Sequence, residues 1–344
     1  MKDQRPTSFD IAYRAGVSQS TVSRALRNSP QVSQATRDKI QAIARELNYR
    51  VDKNATALRS QSTNTIALLL FEDDTTDDSH INPFFMSLLG HITRIVGDRG
   101  LDLLVSFQSL DQDWHLEYEL SSKADGLVLL GYGDYTDYRS RLEQLAEAGA
   151  HLTLWGPSLP DMPVCTVGSD NQLGGKLITQ HLLRLGHKQF VFIGNIHAGS
   201  PEFAERHQGY LSALNDAGVD HNNQLQIDCS NIESQALVAA QRCLNEAPEA
   251  TALVCASDLI ALTVARHLKS AGKSIPNDVS ITGFDDITQA SWFDPPLTTI
   301  RQDTLFAGQL LVDNLLAMIA GEEGANATVE PSLVIRHSAA PPPN

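Results

Sequence analysis

The sequence lacks long hydrophobic runs, paired cysteines and any overall excess of basic residues. No stretch approaches the roughly 18 consecutive apolar residues of a membrane-spanning helix, and the first ten residues, MKDQRPTSFD, lack the apolar core of a secretory signal. We therefore expect a cytoplasmic chain with no membrane contact. The four cysteines show no CxxC spacing, which predicts reduced, mostly buried thiols rather than a disulfide framework or a metal site.

The charge of the chain is unevenly distributed. The net charge is −15, but residues 1–62 contain eleven Lys and Arg against five Asp and Glu, a net charge of +6, so the remainder carries −21. A small basic head on a large acidic body is typical of a DNA-binding module attached to a sensor domain, although chance clustering near a terminus would look the same. At 344 residues, the chain should form two or three cores.

Three short amphipathic helices are predicted in the first sixty residues. Thr7 or Ser8 can cap the first helix, and Gly16 can supply the tight turn that follows it. Ser18 can cap a second helix, SQSTVSRAL, and a third runs over about 33–49. A helix, a glycine turn and a polar second helix together predict a helix-turn-helix.

The exposed face of the second helix carries side chains that suit DNA. Arg24 can bind guanine through two hydrogen bonds, and Gln19 can bind adenine in the same way. Hydroxyl groups near helix N-termini suit phosphate oxygens. The candidate phosphate contacts are Thr7, Ser18, Thr21, Ser33 and Thr36. The alternative is a small helical bundle with a solvated polar face.

The run from Asp10 to Arg50 closely resembles the DNA-binding head of the lactose-repressor/galactose-repressor (LacI/GalR) family. The segments AGVS, TVSR, VS, TR and ELNYR occur in the family's order and spacing. By position, this resemblance implies that Gln19, Ser20 and Arg24 are the residues that read bases.

Residues 51–62, VDKNATALRSQS, resemble the family's hinge helix, which folds in the minor groove. The resemblance places Leu58 as the apolar wedge between base pairs and Ala55 on the same face, one turn earlier. The alternative is a polar linker with one incidental leucine. The family's Pro-Asn is replaced here by Val51-Asp52, which leaves the linker less restrained.

From residue 63 onward, short apolar runs alternate with helical patterns of 10–15 residues, which predicts parallel sheets covered on both faces. Landmarks such as INPFF, ERHQGY and GFDD extend the family resemblance over nearly the full chain. The expected fold is a helix-turn-helix head over 1–50 and a hinge over 51–62. They precede an α/β, two-lobed, periplasmic-binding-protein-like core with two doubly wound sheets. We expect the first lobe over about 63–168 and 296–325, and the second over about 169–295 and 326–344.

The resemblance implies an effector cleft between the lobes. Its expected lining combines amides, aromatic faces, a planar donor fork and a carboxylate acceptor, which suits a polyhydroxylated ligand. The residues are Asn82, Phe84, Phe85, Arg206, Ser257, Asp285 and Gln302. Alternatively, Asn82 caps a helix, the two phenylalanines belong to the core, and Arg206 and Asp285 form a structural ion pair. Asp170 and Asn171 are expected to shape a turn, and Asp258 and Asp286 to be scaffold residues.

Trp155-Gly156-Pro157 replaces the Asp-Arg-Pro found in many relatives. Trp155 would offer a stacking face, which favours an oligosaccharide or a nucleoside as effector. The loop that contains Asp73, Asp74 and His80 could suggest a metal, but its spacing favours a solvated acidic loop. We therefore expect neither a metal nor a cofactor.

Two other classes of protein are weaker alternatives. An oxidoreductase would need a nucleotide fingerprint, but GYGDY at 131–135 lacks the third glycine of GxGxxG. No GxxxxGK[ST], HExxH or GxSxG occurs, so we expect no catalysis. A solute-binding protein would share the body but not the basic head.

The sequence thus predicts a DNA-binding regulator, most simply a repressor, that a sugar controls allosterically; a purine or nucleoside effector is the alternative. A homodimer would place two heads on two half-sites of an operator in double-stranded DNA. Because no heptad tail follows the core, a dimer is favoured over a tetramer. Effector binding would then change the affinity of the protein for DNA, and DNA binding would change its affinity for the effector by the same factor.

Overall fold

The computed structural model describes most of the chain, which forms two compact units over 1–63 and 64–344. The described residues are 6–49, 62–71, 81–107, 113–131, 135–157, 161–220 and 224–343. The predicted minor-groove residues Ala55 and Leu58, and the acidic loop over 72–80, lie outside these ranges. In the described part of the chain, no helix has the length and apolar character needed to cross a membrane.

Over the described residues 6–49, the head contains three helices. They are α1 (Ser8–Ala15), α2 (Gln19–Leu26) and α3 (Gln34–Glu46). Their inner faces form a small core that includes Ile11, Val22 and Ile40, each completely buried. Gly16 ends α1 with φ of +70°, a left-handed conformation that glycine adopts without a steric penalty. The predicted helices are confirmed; of the apolar positions expected for α1, Ile11 and Ala12 are buried, whereas Phe9 is 70% exposed.

The body is an alternation of strands and helices. In chain order its elements are β1 (Thr65–Leu70), α4 (Pro83–Asp98), β2 (Asp102–Phe107), a π-helical turn (Leu116–Leu120), β3 (Gly126–Leu130), α5 (Tyr135–Glu147), β4 (Leu152–Trp155), β5 (Cys165–Ser169), α6 (Asn171–Leu185), β6 (Phe190–Ile193), α7 (Pro201–Asp216), β7 (Leu225–Ile227), α8 (Glu233–Glu246), β8 (Ala252–Cys255), α9 (Asp258–Ser270), β9 (Ser280–Thr282), α10 (Thr288–Trp292), β10 (Thr299–Arg301), α11 (Thr304–Ile319), β11 (Ala327–Val329) and β12 (Ser332–Val334).

Two parallel sheets define two lobes. The first lobe has the strand order β11-β5-β4-β3-β1-β2, and the second has the order β7-β6-β8-β9. In each sheet the first strand in chain order lies inside the sheet, and the strands that follow it are added first on one side and then on the other. The change of side falls between β1 and β3 in the first lobe and between β6 and β8 in the second. Ligands of such doubly wound sheets bind beyond the carboxyl ends of the strands at this reversal.

The inner strands are mostly buried and rich in apolar residues, as expected for parallel sheets whose two faces are covered by helices. In β1, five of the six residues of TIALLL are buried. Helix α11 packs closely on the first sheet at Gly126 of β3. If Gly126 carried a Cβ atom, that atom would lie only 2.8 Å from the methyl carbon Cδ1 of Leu315. This two-lobed α/β body, together with the helical head, confirms the predicted fold class.

The predicted lobe boundaries need correction near the C-terminus. Strand β11 pairs in parallel with β5, so residues 327–329 belong to the first lobe's sheet, whereas the sequence assigned 326–344 to the second lobe. The sequence assigned 296–325 to the first lobe. However, Thr298 forms a bridge with Thr282 at the end of β9, so the start of this range lies with the second lobe. Strands of three residues are too short to show the periodicity that would assign them.

All four thiols have raised pKa values because they are partly or fully buried. Cys229, Cys243 and Cys255 are buried in the second lobe, and Cys165 is half-buried at the start of β5. All four are free thiols. The sequence-based expectation of reduced, mostly buried cysteines is therefore confirmed.

Candidate DNA-reading face and effector site

The three helices of the head each begin at a hydroxyl side chain. Ser18 Oγ accepts a hydrogen bond from the Thr21 amide at 3.2 Å, and Ser33 Oγ accepts one from the Thr36 amide at 3.3 Å. Thr7 pairs with Asp10 in a capping box at the start of α1. All five predicted phosphate contacts therefore lie in the first turns of helices, where backbone N–H groups and the helix dipole favour an anion.

The outer side of α2 presents the predicted base readers. Ser20 and Arg24 are exposed, opposite the buried Val22. Gln19 is half-buried and its Nε2 donates to Ser8 Oγ at 3.2 Å, so its amide is held at the start of the helix. Tyr13, which the sequence analysis did not single out, is 90% exposed on α1. A large aromatic ring this exposed is a further candidate for contact with DNA.

In the second lobe, Arg206 on α7 is almost completely buried at the carboxyl edge of the sheet. Its Nε donates to Asn171 Oδ1 at 2.9 Å, and its Nη1 donates to the carbonyl of Ala256, just beyond β8, at 2.6 Å. The guanidinium carbon lies 3.7 Å from the centre of the Phe284 ring. These contacts fix the guanidinium plane at the point where the sheet reverses.

Asp285 lies beside this guanidinium group. Its Oδ1 is 3.8 Å from Arg206 Nη1 and accepts a hydrogen bond from Gln302 Nε2 at 2.6 Å. Burial raises the pKa of Asp285 to about 6, against the opposing effects of Arg206 and Gln302. The residue has φ of +119°, a sparsely populated conformation that is found preferentially at functional sites.

Gln302 contributes a buried acceptor to which no described residue donates. Its side chain is 4% exposed, and its Oε1 atom is buried without a hydrogen bond among the described residues. An unpaired buried amide oxygen costs about 1–3 kcal/mol unless a ligand or a water supplies a donor. Together, Arg206, Asp285 and Gln302 therefore form a compact group of donors and acceptors that matches a hydroxyl-bearing ligand.

The neighbouring acids have structural roles, as the sequence analysis expected. Asp258 is completely buried and accepts hydrogen bonds from Thr299 Oγ1 at 2.5 Å and from the Ile287 amide at 2.9 Å. Burial, reinforced by the nearby carboxylate of Asp285, raises its pKa well above the usual range.

Asp286 binds two arginines. Its Oδ2 lies 2.7 Å from Arg301 Nε, and its Oδ1 lies 2.5 Å from Arg336 Nη2. These ion pairs link the loop after β9 to β10 and to the C-terminal segment.

Ser257 and Asn82 both cap helices. Ser257 Oγ accepts from the Ile260 amide at 3.2 Å and donates to Asn231 Oδ1 at 2.6 Å. Asn82 Oδ1 accepts from the Phe84 amide at 3.0 Å. These bonds match the capping alternative for Asn82, and Asn231 joins the candidate site as a residue that the sequence analysis missed.

The aromatic residues of the first lobe form one cluster. The Phe84 ring centre lies 5.4 Å from that of Phe85 and 5.5 Å from that of Trp155. Phe84 and Trp155 are buried, which agrees with the core alternative for Phe84 and leaves Trp155 little open face for stacking. Phe85 is half-buried and packs against Gly131, so it is the ring of the three with accessible surface.

Tyr135 forms a contact between the two lobes outside the segments in which the chain passes from one lobe to the other. Its backbone N–H, at the start of α5, donates to the carbonyl of Gly199 in the second lobe at 3.0 Å. The Tyr135 ring is buried, and its hydroxyl group contacts Met162 Sδ at 2.8 Å. The loop before α7 is thereby joined to the first lobe in this conformation.

No cluster of metal-ligating side chains occurs among the residues that the structure describes. The acidic loop over 72–80, for which the sequence left a metal open as an alternative, is outside those residues.

Comparisons with known proteins agree with both halves of this description. The family model of bacterial regulatory proteins of the lacI family matches residues 9–52, and that of the periplasmic binding protein-like domain matches residues 179–339. The HTH-type transcriptional regulator CelR of Thermobifida fusca is 31% identical over 97% of this chain and 98% of its own. The ribose operon repressor of Haemophilus influenzae is 30% identical over 96% and 98%.

Solved structures give the same result. A complex described as transcriptional regulator CelR with cellobiose is similar with a TM-score of 0.70 and 29% identity, over 97% of this chain and all of that one. A lac repressor dimer bound to operator and an anti-inducer has a TM-score of 0.80 and 25% identity, over 98% and 100%. With its helix-turn-helix head and two-lobed body, this chain belongs to the LacI family of bacterial transcriptional regulators.

Proposed function

We propose that this regulator binds operator DNA as a repressor and that a sugar controls its affinity for the operator. The observation that supports a sugar is the buried group formed by Arg206, Asp285 and Gln302, in which a guanidinium group, a carboxylate and an amide oxygen with no donor among the described residues converge. Adjacent hydroxyl groups of a sugar can satisfy all three. The similar structure that contains cellobiose supports the same class of effector.

A thermal-shift screen of the full chain tests this proposal. The panel contains cellobiose, ribose and other mono- and disaccharides, with nucleosides and purine bases as the second class. A ligand that binds the native state raises the melting temperature in proportion to occupancy, by RT ln(1 + [L]/Kd) in free energy. A shift with a sugar that is lost in Asp285→Ala supports the proposal, whereas shifts with nucleosides alone favour the alternative effector class.

The second test couples the effector to DNA. The stabilising sugar should change operator affinity by about 5–150-fold, which corresponds to the usual coupling of 1–3 kcal/mol. An effector that binds without changing operator affinity would make this protein a sugar receptor with no regulatory role. Because the relatives are DNA-binding regulators, we also propose that the protein binds the sugar without catalysing a reaction of it. We further propose that the protein works in the cytoplasm, where operator DNA lies.

We propose a homodimer that forms through the edge of the first sheet. The edge strand β2 exposes Leu104, Val105 and Phe107, each between 38% and 45% accessible. Unpaired edge strands with apolar side chains favour association, so soluble proteins generally cover them. A second copy of this chain would cover β2 and bring two heads to one operator.

A further inference from the structure

Asn171 is the first residue of α6 and is almost completely buried. Its amide is fully used. Oδ1 accepts from Arg206 Nε at 2.9 Å, while Nδ2 donates to Glu205 Oε2 at 3.1 Å and to the carbonyl of Ser169 at 3.2 Å. The two donated bonds fix which way the amide faces. Its oxygen is therefore directed at the guanidinium group, which is the orientation that Arg206 requires.

The distance between Asn171 and Arg206 is set by close packing of α6 on α7. A Cβ on Gly175 would lie 2.0 Å from the carbonyl oxygen of Arg206, and a Cβ on Gly209 would lie 2.0 Å from that of Gln172. Only glycine fits at both positions, because any other residue would force the helix backbones apart. The two helices therefore hold Asn171 and Arg206 in one fixed relation.

Asn171 also lies where the chain first passes from one lobe to the other. Strand β5 of the first lobe ends at Ser169, and α6 of the second lobe begins two residues later. Asp170, between them, caps α6 by accepting from the Leu173 amide at 2.8 Å. A rotation of the lobes about this crossover would act directly on Asn171, and through it on the guanidinium group.

We propose that Asn171 is a positioning residue for effector recognition, which orients Arg206 and links it to the crossover between the lobes. Glu205 acts behind it by fixing the orientation of the amide. The effector part of this inference rests on the proposed function, whereas the orientation of Arg206 does not.

The first experiment needs no effector. In the isotopically labelled full chain, NMR measures the exchange rate of the Arg206 Nε–H, and its signal is identified by its disappearance in Arg206→Lys. Asn171→Ala should accelerate this exchange by about tenfold or more, because a buried hydrogen bond is lost. Asn171→Asp keeps an acceptor oxygen for Arg206 but loses both donated bonds and places a carboxylate beside Glu205, so it should retain only part of the protection.

Thr179→Ala is the matched control. Thr179 is also a buried polar residue of α6, but its hydroxyl group donates to the carbonyl of Gly175 at 2.7 Å within the same helix. This variant should leave the Arg206 signal unchanged. Equal exchange of the Arg206 Nε–H in wild type and Asn171→Ala, or equal acceleration by Asn171→Ala and Thr179→Ala, would overturn the proposal.

The second experiment measures the affinity for cellobiose, or for the sugar of the panel that binds if cellobiose does not. In the otherwise wild-type protein, Asn171→Ala should weaken sugar binding about tenfold. In the Arg206→Lys variant the same substitution should have no further effect, because lysine lacks the Nε–H group that donates to Asn171. Independent, additive losses would overturn the effector part of the proposal. If wild type binds no sugar, the proposed function fails, and the exchange experiment still decides the role of Asn171.

Discussion

Single side chains carry the proposed contacts of the head with DNA and of the body with an effector. In the head, Arg24 extends from the exposed side of α2, opposite the core residue Val22. In the candidate effector site, Arg206 Nη1 and Asp285 Oδ1 lie 3.8 Å apart, a loose pairing in which a ligand oxygen could bind both groups. Arg24 and Asp285 are the side chains at which these contacts are tested.

Arg24→Ala should lower operator affinity by about 1–3 kcal/mol and relax the preference at one base pair. Arg45→Ala removes the same charge from the last turn of α3 and is the control. Gel-shift titrations on the operator and on variants of each base pair measure both effects. If Arg24→Ala weakened binding to operator and random DNA equally, base reading by Arg24 would be wrong.

Effector affinity should depend on pH through Asp285. Burial raises its pKa to about 6, and protonation removes the negative charge and turns one of the two acceptor oxygens into a donor, which weakens the hydrogen bonds from ligand hydroxyl groups. Between pH 7.5 and pH 5, affinity for the sugar identified in the screen should therefore fall about tenfold. Calorimetry at a series of pH values checks this, and Asp285→Asn should abolish the dependence.

The same pKa shift has the opposite sign for folding. Burial disfavours the ionised carboxyl, so this group's contribution to stability declines as pH rises from about 4 to 6 and is constant above that. An effector affinity that stayed flat or rose as pH fell would exclude Asp285 as an acceptor in the complex.

Helices and strands account for most of what could be predicted from the sequence. The alternation of buried strands and amphipathic helices predicted parallel sheets correctly, because five of the six residues of a strand such as β1 are apolar and buried. The placement of β11 in the first lobe could not be predicted, since three residues carry no periodicity. Asn171 was expected only to shape a turn, because its partners Glu205 and Arg206 are more than thirty residues away in the chain.

The contact between α6 and α7 gives a prediction at this scale. Gly209→Ala should lower the free energy of unfolding by about 3 kcal/mol, because the new methyl group meets backbone atoms that cannot rotate away. Gly97→Ala in α4 is the control. Apart from the adjoining backbone of its own helix, no atom of the described residues lies within 4 Å of the position of the new methyl group, so this variant should raise stability by about 0.5–1 kcal/mol. Chemical denaturation of both variants measures the difference, and equal effects would contradict the packing argument.

For the whole molecule, the two units divide reading and sensing between them. The head carries the exposed polar helix, and the body carries the buried donor and acceptor group. The family resemblance predicted a role for each of them, whereas composition alone indicated only a basic head on an acidic body. Transmission between them requires that the assembly hold two heads at a fixed spacing, because a two-fold operator has two half-sites.

Val105→Lys tests the proposed assembly. A charge in the exposed centre of β2 should shift the dimer toward monomers and weaken operator binding by at least about tenfold, because each monomer reaches only one half-site. Analytical ultracentrifugation and gel-shift titration measure the two effects. Gln144→Lys adds the same charge on the exposed side of α5 and should change neither. An unaltered dimer in Val105→Lys would exclude this edge as the interface.

The buried thiols have a practical consequence for fluorescent reporters. Because burial raises the pKa of all four cysteines, little thiolate is present at neutral pH and maleimides react slowly with them. A cysteine introduced by Ile196→Cys, in the exposed loop that leads to Gly199, would therefore be labelled first in the otherwise native chain. A dye at that position would sit beside the contact between the lobes and could convert effector binding into an optical signal.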